Sequence, residues 1–337
     1  MSPPRHRPLP QSDPLRPPGA RPLAGGPLWF DRLAEHRSGA APRLVAVGAV
    51  PAAALALLTA PRPALCGLSL DRPRIMAVLN VTPDSFSDGG LHLRPEDALA
   101  RARALVDAGA DILDVGGEST RPGAEPVPED EEIRRVAPVI AALRAAGVAT
   151  PISVDTRKAA VAAAAFAAGA DVWNDVSALA YDPASLALAA ASGRPVVLMH
   201  AQGDPRTMQD APAYDDVLLD VADFLAARIA AAEAAGVPRA RILVDPGIGF
   251  GKTVAHNLAL VRGLALLHGL GCPILFGASR KRFIGAIGGA PAPASRGPGS
   301  LAVALEALRQ GAQVIRVHDV AETRQAISLW EALNAPA

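Results

Sequence analysis

A chain of 337 residues is long enough to bury a substantial core, as one large domain or as two ordinary ones. Its 33 lysines and arginines balance 33 aspartates and glutamates, which excludes a global field for nucleic acid or an anionic membrane and leaves any anion site to local chemistry. The two cysteines, Cys66 and Cys272, have neither metal-ligand spacing nor the makings of a disulfide framework, which suits a reducing cytoplasm, and the Pro/Arg-rich start shows no secretory signal.

The first 27 residues have little periodicity and are expected to be disordered or draped over a surface. Residues 28–70 carry Trp29, Phe30 and an alanine- and leucine-rich stretch, part of which is expected to pack. Within it Leu44 to Ala60 is uncharged, but it is short for a membrane span and is broken by Gly48 and Pro51. Residues 1–70 therefore read as a partly disordered N-terminal extension without chemistry of its own, and 71–337 as the functional domain. Neither a membrane nor a nucleic acid is expected as a partner.

From Arg74 onward short apolar runs alternate with alanine-rich helical segments. Strands are predicted at 75–79, 112–116, 152–155, 172–175, 196–200, 242–245, 273–276 and 313–317. Helices are predicted near 95–108, 129–146, 158–168, 183–192, 214–235, 255–268, 299–310 and 321–333. Eight strand-then-helix units in about 260 residues fit an α/β fold of the (β/α)8 TIM-barrel type. A doubly wound open sheet would also alternate, but the count of eight and the even spread of polar strand ends favour the barrel. Three returns share a device: Ala108-Gly-Ala-Asp111, Ala168-Gly-Ala-Asp171 and Gln310-Gly-Ala-Gln313 each offer a glycine to end a helix just before a strand.

The strand Ile75–Leu79 runs straight into a polar loop bearing Asn80, Thr82, Asp84, Ser85, Ser87 and Asp88, closed by Gly89-Gly90. One such loop is an ordinary turn; here every predicted strand ends in polar or ionisable groups, and in a barrel those ends converge on one site. Asp155 and Asp245 close apolar strands, with Asn174 between them. Singly they read as structural carboxylates; together they suit the N–H-rich edge of a flat heterocycle. Asn80, Arg121, Arg316 and His318 suggest an anion pocket fit for phosphate, where Asn80 could also serve a magnesium ion. Ser279-Arg280-Lys281 follows strand seven; Lys281 could reach the pocket, while Arg280 could pair structurally. Two lookalikes fail. Gly247 to Thr253 resembles a P-loop but has Pro246 where the first glycine belongs, and Gly277 to Lys281 lacks the last glycine of a nucleophile elbow. His200 has no second ligand nearby and reads as a satisfied rim histidine rather than a metal ligand.

Taken together, Leu79–Gly90, Asp114–Gly123, Ser153–Thr156, Asn174–Val176, Met199–Gly203, Asp245–Lys252, Gly277–Lys281 and Arg316–Asp319 resemble the dihydropteroate synthase family of pterin-binding enzymes, in family order over residues 74–334. The resemblance implies a barrel that condenses 6-hydroxymethyl-7,8-dihydropterin diphosphate with p-aminobenzoate in folate biosynthesis. It further implies a Mg2+ cofactor, sulfonamides as inhibitors and a homodimer. By motif, Asp155, Asn174, Asp245 and Lys281 would hold the pterin, with Met199 lining its pocket. Asn80, Arg121, Arg316 and His318 would hold the diphosphate, with Asn80 placing the metal, and Thr120, Pro122, Phe250 and Ser279 would frame p-aminobenzoate. Asp155, Lys281, Arg121, Arg316 and His318 are the residues expected to carry the chemistry. A pterin-dependent methyltransferase, or a non-catalytic pterin-binding paralogue, would share the fold and much of this set.

Overall fold

The computed structural model describes residues 4–81, 95–119, 124–203 and 207–334. Before Arg74 the chain forms five short strands, β1 (Arg5–Pro8), β2 (Arg21–Pro22), β3 (Trp29–Phe30), β4 (Arg32–Arg37) and β5 (Ala40–Ala46), and one helix, α1 (Ala52–Thr59). After it come β6 (Arg74–Asn80), α2 (Pro95–Asp107), β7 (Ile112–Gly116), α3 (Glu129–Ala145), β8 (Ile152–Asp155), α4 (Ala159–Ala168), β9 (Val172–Asp175) and α5 (Ser185–Ser192). The series continues with β10 (Val196–Met199), α6 (Val217–Ala234), β11 (Ile242–Asp245), α7 (Val254–Gly263), β12 (Leu275–Phe276), α8 (Arg282–Gly288), α9 (Gly297–Arg309), β13 (Val314–Val317) and α10 (Val320–Asn334).

Strands β6 to β13 make one eight-stranded sheet in the order β11-β10-β9-β8-β7-β6-β13-β12. Its neighbouring strands pair in parallel, and a parallel bridge between Val244 and Ile274 joins the two ends of that order, so the sheet closes as the predicted barrel. Strand alternation then sorts the side chains. Ile75, Ala77, Leu79, Leu113, Val115, Val154 and Trp173 face the helices. Met76, Ile112, Val172, Val197, Leu243, Leu275 and Val314 fill the lower lumen as a dry layer. Alanine-rich helices such as α4 can lie close on this barrel, and Phe166 meets the buried Trp173 edge-on at 6.2 Å.

The three returns work as read, and do more. Gly109, Gly169 and Gly311 have φ of +103°, +110° and +88°, the left-handed conformation that ends a helix without a side-chain clash. The residue two positions on then reaches sideways. Asp111 accepts from the Ile75 amide, Asp171 from the Ile152 amide and Gln313 from the Ile274 amide, each at 2.8 Å. Each return thus pins the start of the neighbouring strand.

Three details differ from the sequence reading. The predicted helix 255–268 is α7 followed by a 3-10 segment, Leu264–Leu270. Strand β12 is only two residues long, since Pro273 has no amide to give to the ladder. A short helix, α8, was not foreseen between β12 and α9.

Much of the extension has regular structure. β1, in the stretch expected to be disordered or draped over a surface, pairs antiparallel with β4, and β4 with β5. Arg5 donates to Asp223 of α6 at 2.7 Å, and Arg7 to the Arg262 carbonyl of α7 at 3.2 Å. The Trp29 indole donates to the Asp13 carbonyl at 2.6 Å. This order comes from contacts distant in sequence, so no local periodicity could announce it. Leu23, Leu28, Phe30, Leu33, Val47, Val50 and Leu58 form a core of their own, with Trp330 of α10 against it. It is Leu65 and Leu70 that close the bottom of the barrel, by packing on the dry layer. Among the described residues no helix is long and apolar enough to cross a membrane.

Candidate active site

Above the dry layer the lumen turns polar. The same alternation points Asp114, Ser153, Asp155, Asn174, Met199, Asp245 and Arg316 inward near the carboxyl ends of their strands. Arg316 is the hub. Its Nε donates to Asp114 Oδ2 at 2.6 Å and its Nη2 to Asp155 Oδ2 at 2.7 Å. Asn174 Nδ2 donates to the same Asp114 oxygen at 3.2 Å. Burial opposes the Arg316 charge, yet Asp114 and Asp155 outweigh it and hold the guanidinium above its ordinary pKa. Burial raises the Asp155 pKa, and Arg316 works against that rise. The second oxygens of Asp114 and Asp155, and the Ser153 hydroxyl, are buried without a partner among the described residues. Acceptors held in this way fit N–H donors arriving on a ligand.

Space above them is left by two glycines. A β-carbon on Gly116 would stand 3.5 Å from Asp155 Cβ and 3.6 Å from Asn80 Oδ1. One on Gly277 would stand 3.6 Å from Arg316 Cβ and 3.8 Å from Asp245 Oδ2. Asp245 also accepts from the Gly247 amide at 2.7 Å, and burial raises its pKa despite the favourable charge of Lys281. Lys281, half-buried at the start of α8, donates to the Ile248 carbonyl, and its Nζ lies 4.6 Å from the Phe250 ring centre. Burial pushes the Lys281 pKa down to about 8, with Asp245 resisting and Arg316 assisting.

The loop that carries Phe250 crosses tightly over the end of β10. A β-carbon at Gly247, where φ is +66°, would fall 1.8 Å from the His200 carbonyl oxygen, so only glycine is tolerated there. The same crossing brings Met199 Cγ within 3.3 Å of that position. At the rim Ser279 Oγ accepts from the His318 amide at 3.2 Å and meets His318 Nδ1 at 3.0 Å. Arg280 turns away and forks onto Asp319, so it is a structural ion pair.

Asn80, Asp155, Asn174, Met199, Asp245 and Arg316 thus gather at the upper lumen, with Lys281 against Phe250 on the loop that follows β11, and Ser279 and His318 paired just after β12 and β13. Thr120, Arg121 and Pro122 lie outside the described residues, as does the polar loop after Asn80. The sequence reading missed Asp114 as a site residue. Its signal was an acid inside the apolar run Ile112-Leu-Asp-Val115, where an unpaired charge would be costly. The P-loop lookalike is explained too. Thr253 caps α7 by accepting from the His256 amide at 3.2 Å, and Lys252 is buried rather than presented to a phosphate.

The model of the pterin binding enzyme family matches residues 76–318. Dihydropteroate synthase of Escherichia coli strain K12 is 48% identical over 265 residues, covering 79% of this chain and 93% of that protein. The solved structure of Xanthomonas albilineans dihydropteroate synthase with 4-aminobenzoic acid superposes with a TM-score of 0.76 at 52% identity, covering 82% of this chain and 98% of the other. The same enzyme in complex with 7,8-dihydropteroate gives 0.73 at 49%, over 82% and 99% of the two chains. A closed parallel barrel, a polar upper lumen and these likenesses agree: the chain belongs to the pterin-binding enzyme family that contains the dihydropteroate synthases.

Proposed function

We propose that this chain is a transferase that joins 6-hydroxymethyl-7,8-dihydropterin diphosphate to p-aminobenzoate, giving 7,8-dihydropteroate and pyrophosphate. The observation that carries the reading is the Asp114–Arg316–Asp155 array, whose buried carboxylate oxygens, unpartnered among the described residues, lie one layer above a dry lumen. The pterin edge, rich in N–H donors, would meet Asp155, Asn174 and Asp245, with Lys281 donating to its acceptors and Met199 along its face.

In the reaction the bond from the pterin methylene to the diphosphate oxygen breaks, and a bond to the aniline nitrogen forms with loss of one nitrogen proton. The pterin ring stabilises positive charge at the methylene, so no serine or cysteine nucleophile is required. Buried carboxylates favour that cationic character, and the amine needs positioning more than activation. Phe250 and Ser279, with Thr120 and Pro122, frame p-aminobenzoate. His318 at the rim, with Arg121 and Asn80, receives the diphosphate, and Arg316, anchored between its two carboxylates at the floor, is the further cation of that set.

Among the described residues no three His, Cys or acidic side chains converge on a cation site. Mg2+ commonly takes one or two protein oxygens and draws the rest from substrate phosphates and water, and the Asn80 carboxamide oxygen beside Gly116 and Asp155 fits such a role. When bound, Mg2+ supplies charge neutralisation for the departing pyrophosphate. Pyrophosphate release from the pterin diphosphate is the test. Release that requires p-aminobenzoate supports the reading; release without it, or none with both substrates and Mg2+, sinks it.

A further inference from the structure

The sequence contains thirty arginines and three lysines, Lys158, Lys252 and Lys281. All three amines are engaged inside the fold. Lys158 binds Glu118, Glu132 and the Val127 carbonyl, and Lys281 lies in the pocket already described. Lys252 is 3% exposed and forms no ion pair among the described residues. Its Nζ meets His200 Nδ1 at 2.9 Å, the His200 carbonyl at 3.3 Å and the Phe250 carbonyl at 2.9 Å. A chain that uses arginine for nearly every other cation keeps here the compact amine, whose three donors fan out over three converging acceptors as a flat guanidinium could not.

We infer that Lys252 is a positioning residue: by holding the Phe250 carbonyl against the end of β10, it sets the place of the Phe250 ring over Lys281 and so the p-aminobenzoate subsite. This rests on the reading that Phe250 frames that substrate. The neighbouring peptides of the loop are fixed by other groups. Asn257 Oδ1 accepts from the Gly249 amide at 2.7 Å, Gln209 donates to the Gly249 carbonyl at 2.5 Å and Tyr214 to the Gly251 carbonyl at 2.7 Å. Lys252 takes the carbonyl of the residue whose ring matters. His200 packs edge-on against Phe224 at 4.8 Å, so the anchor at the far end is rigid. Burial and Lys252 push the His200 pKa down to about 3, which leaves its ring neutral and able to accept.

Steady-state kinetics on Lys252→Met, Phe250→Ala and the double variant test this. Loss of a hydrogen bond to a buried carbonyl is expected to raise the KM for p-aminobenzoate about tenfold in Lys252→Met, with the KM for the pterin diphosphate changed less than about twofold. In the Phe250→Ala background the same substitution is expected to add less than about twofold, since its route of action is gone. If Phe250→Ala raises the p-aminobenzoate KM but Lys252→Met either leaves it alone or multiplies the rise by its full factor, the inference is overturned while the reading of Phe250 stands. If Phe250→Ala leaves that KM unchanged, the reading of Phe250 fails and the inference with it. Lys252→Gln keeps an N–H donor group, is expected to give a smaller rise in the same KM, and carries the same cycle if the methionine variant does not fold.

Discussion

Asp114 and Arg316 show how a single ion pair can make a binding floor. Each would be costly alone in the lumen; together they leave one carboxylate oxygen for a visitor. Lys281 has the opposite balance, because its burial outweighs its neighbours and lowers its pKa to about 8. The sign follows. Between about pH 8 and the ordinary lysine value of 10.5 the folded chain holds fewer protons than the unfolded one, so this residue's contribution to stability rises with pH across that window while its charge for ligand binding disappears. The kcat/KM for the pterin diphosphate should therefore fall along an alkaline limb near pH 8. Lys281→Arg, slower throughout, should push that limb upward by more than about two pH units, because a guanidinium stays charged. A limb that stays in place in the arginine variant would assign it to another group, Lys252 being nearest to hand with a pKa lowered to about 7.

At the scale of elements, the turn after β9 is held open by force. Ala178 and Leu179 have φ of +54° and +60°, a conformation most side chains avoid. Asp175 accepts from the Ser177 and Leu179 amides at 2.7 and 2.9 Å, and Arg228 donates to the Ala178 and Leu179 carbonyls at 2.8 and 3.0 Å. Ala178→Gly should relieve this and stabilise the protein by about 1 kcal/mol, whereas Leu179→Gly should destabilise it by about 2 kcal/mol through lost burial. Chemical denaturation of the two variants should move the midpoint in opposite directions. This turn was not legible in the sequence, because nothing in Ser-Ala-Leu-Ala marks a left-handed pair. The strands were legible, because burial on both faces demands unbroken apolar runs such as Ile75–Leu79. Asp155, Asn174 and Asp245 could be read because they end such runs, and Asp114 was passed over because it interrupts one.

For the whole molecule the extension contributes in two separable ways. The sheet β1-β4-β5 and α1 lie on the outside of the barrel, while Leu65 and Leu70 seal its lower lumen. A chain starting at residue 61 should keep the pocket and most of its stability. One starting at residue 72 loses both leucines, a cost of about 4–6 kcal/mol, and should melt on the order of 10 °C lower than the first. Equal melting temperatures would show that the dry layer needs no cover.

The distribution of amines has a further consequence, for covalent chemistry. A guanidinium is inert to acylating reagents and to most aldehydes near neutral pH, so the internal nucleophiles of that class are three lysines. Lys158 is locked by two carboxylates that, with its hydrogen bonds, raise its pKa above the ordinary value against the effect of burial, and Lys252 is sealed. Lys281 alone combines partial exposure with a pKa near 8. An activated ester small enough to enter should acylate the native protein at Lys281 before either other lysine, and peptide mapping should show that mark fade when the pterin diphosphate is present. The pocket would then be its own affinity tag, readable by mass without any assay of turnover.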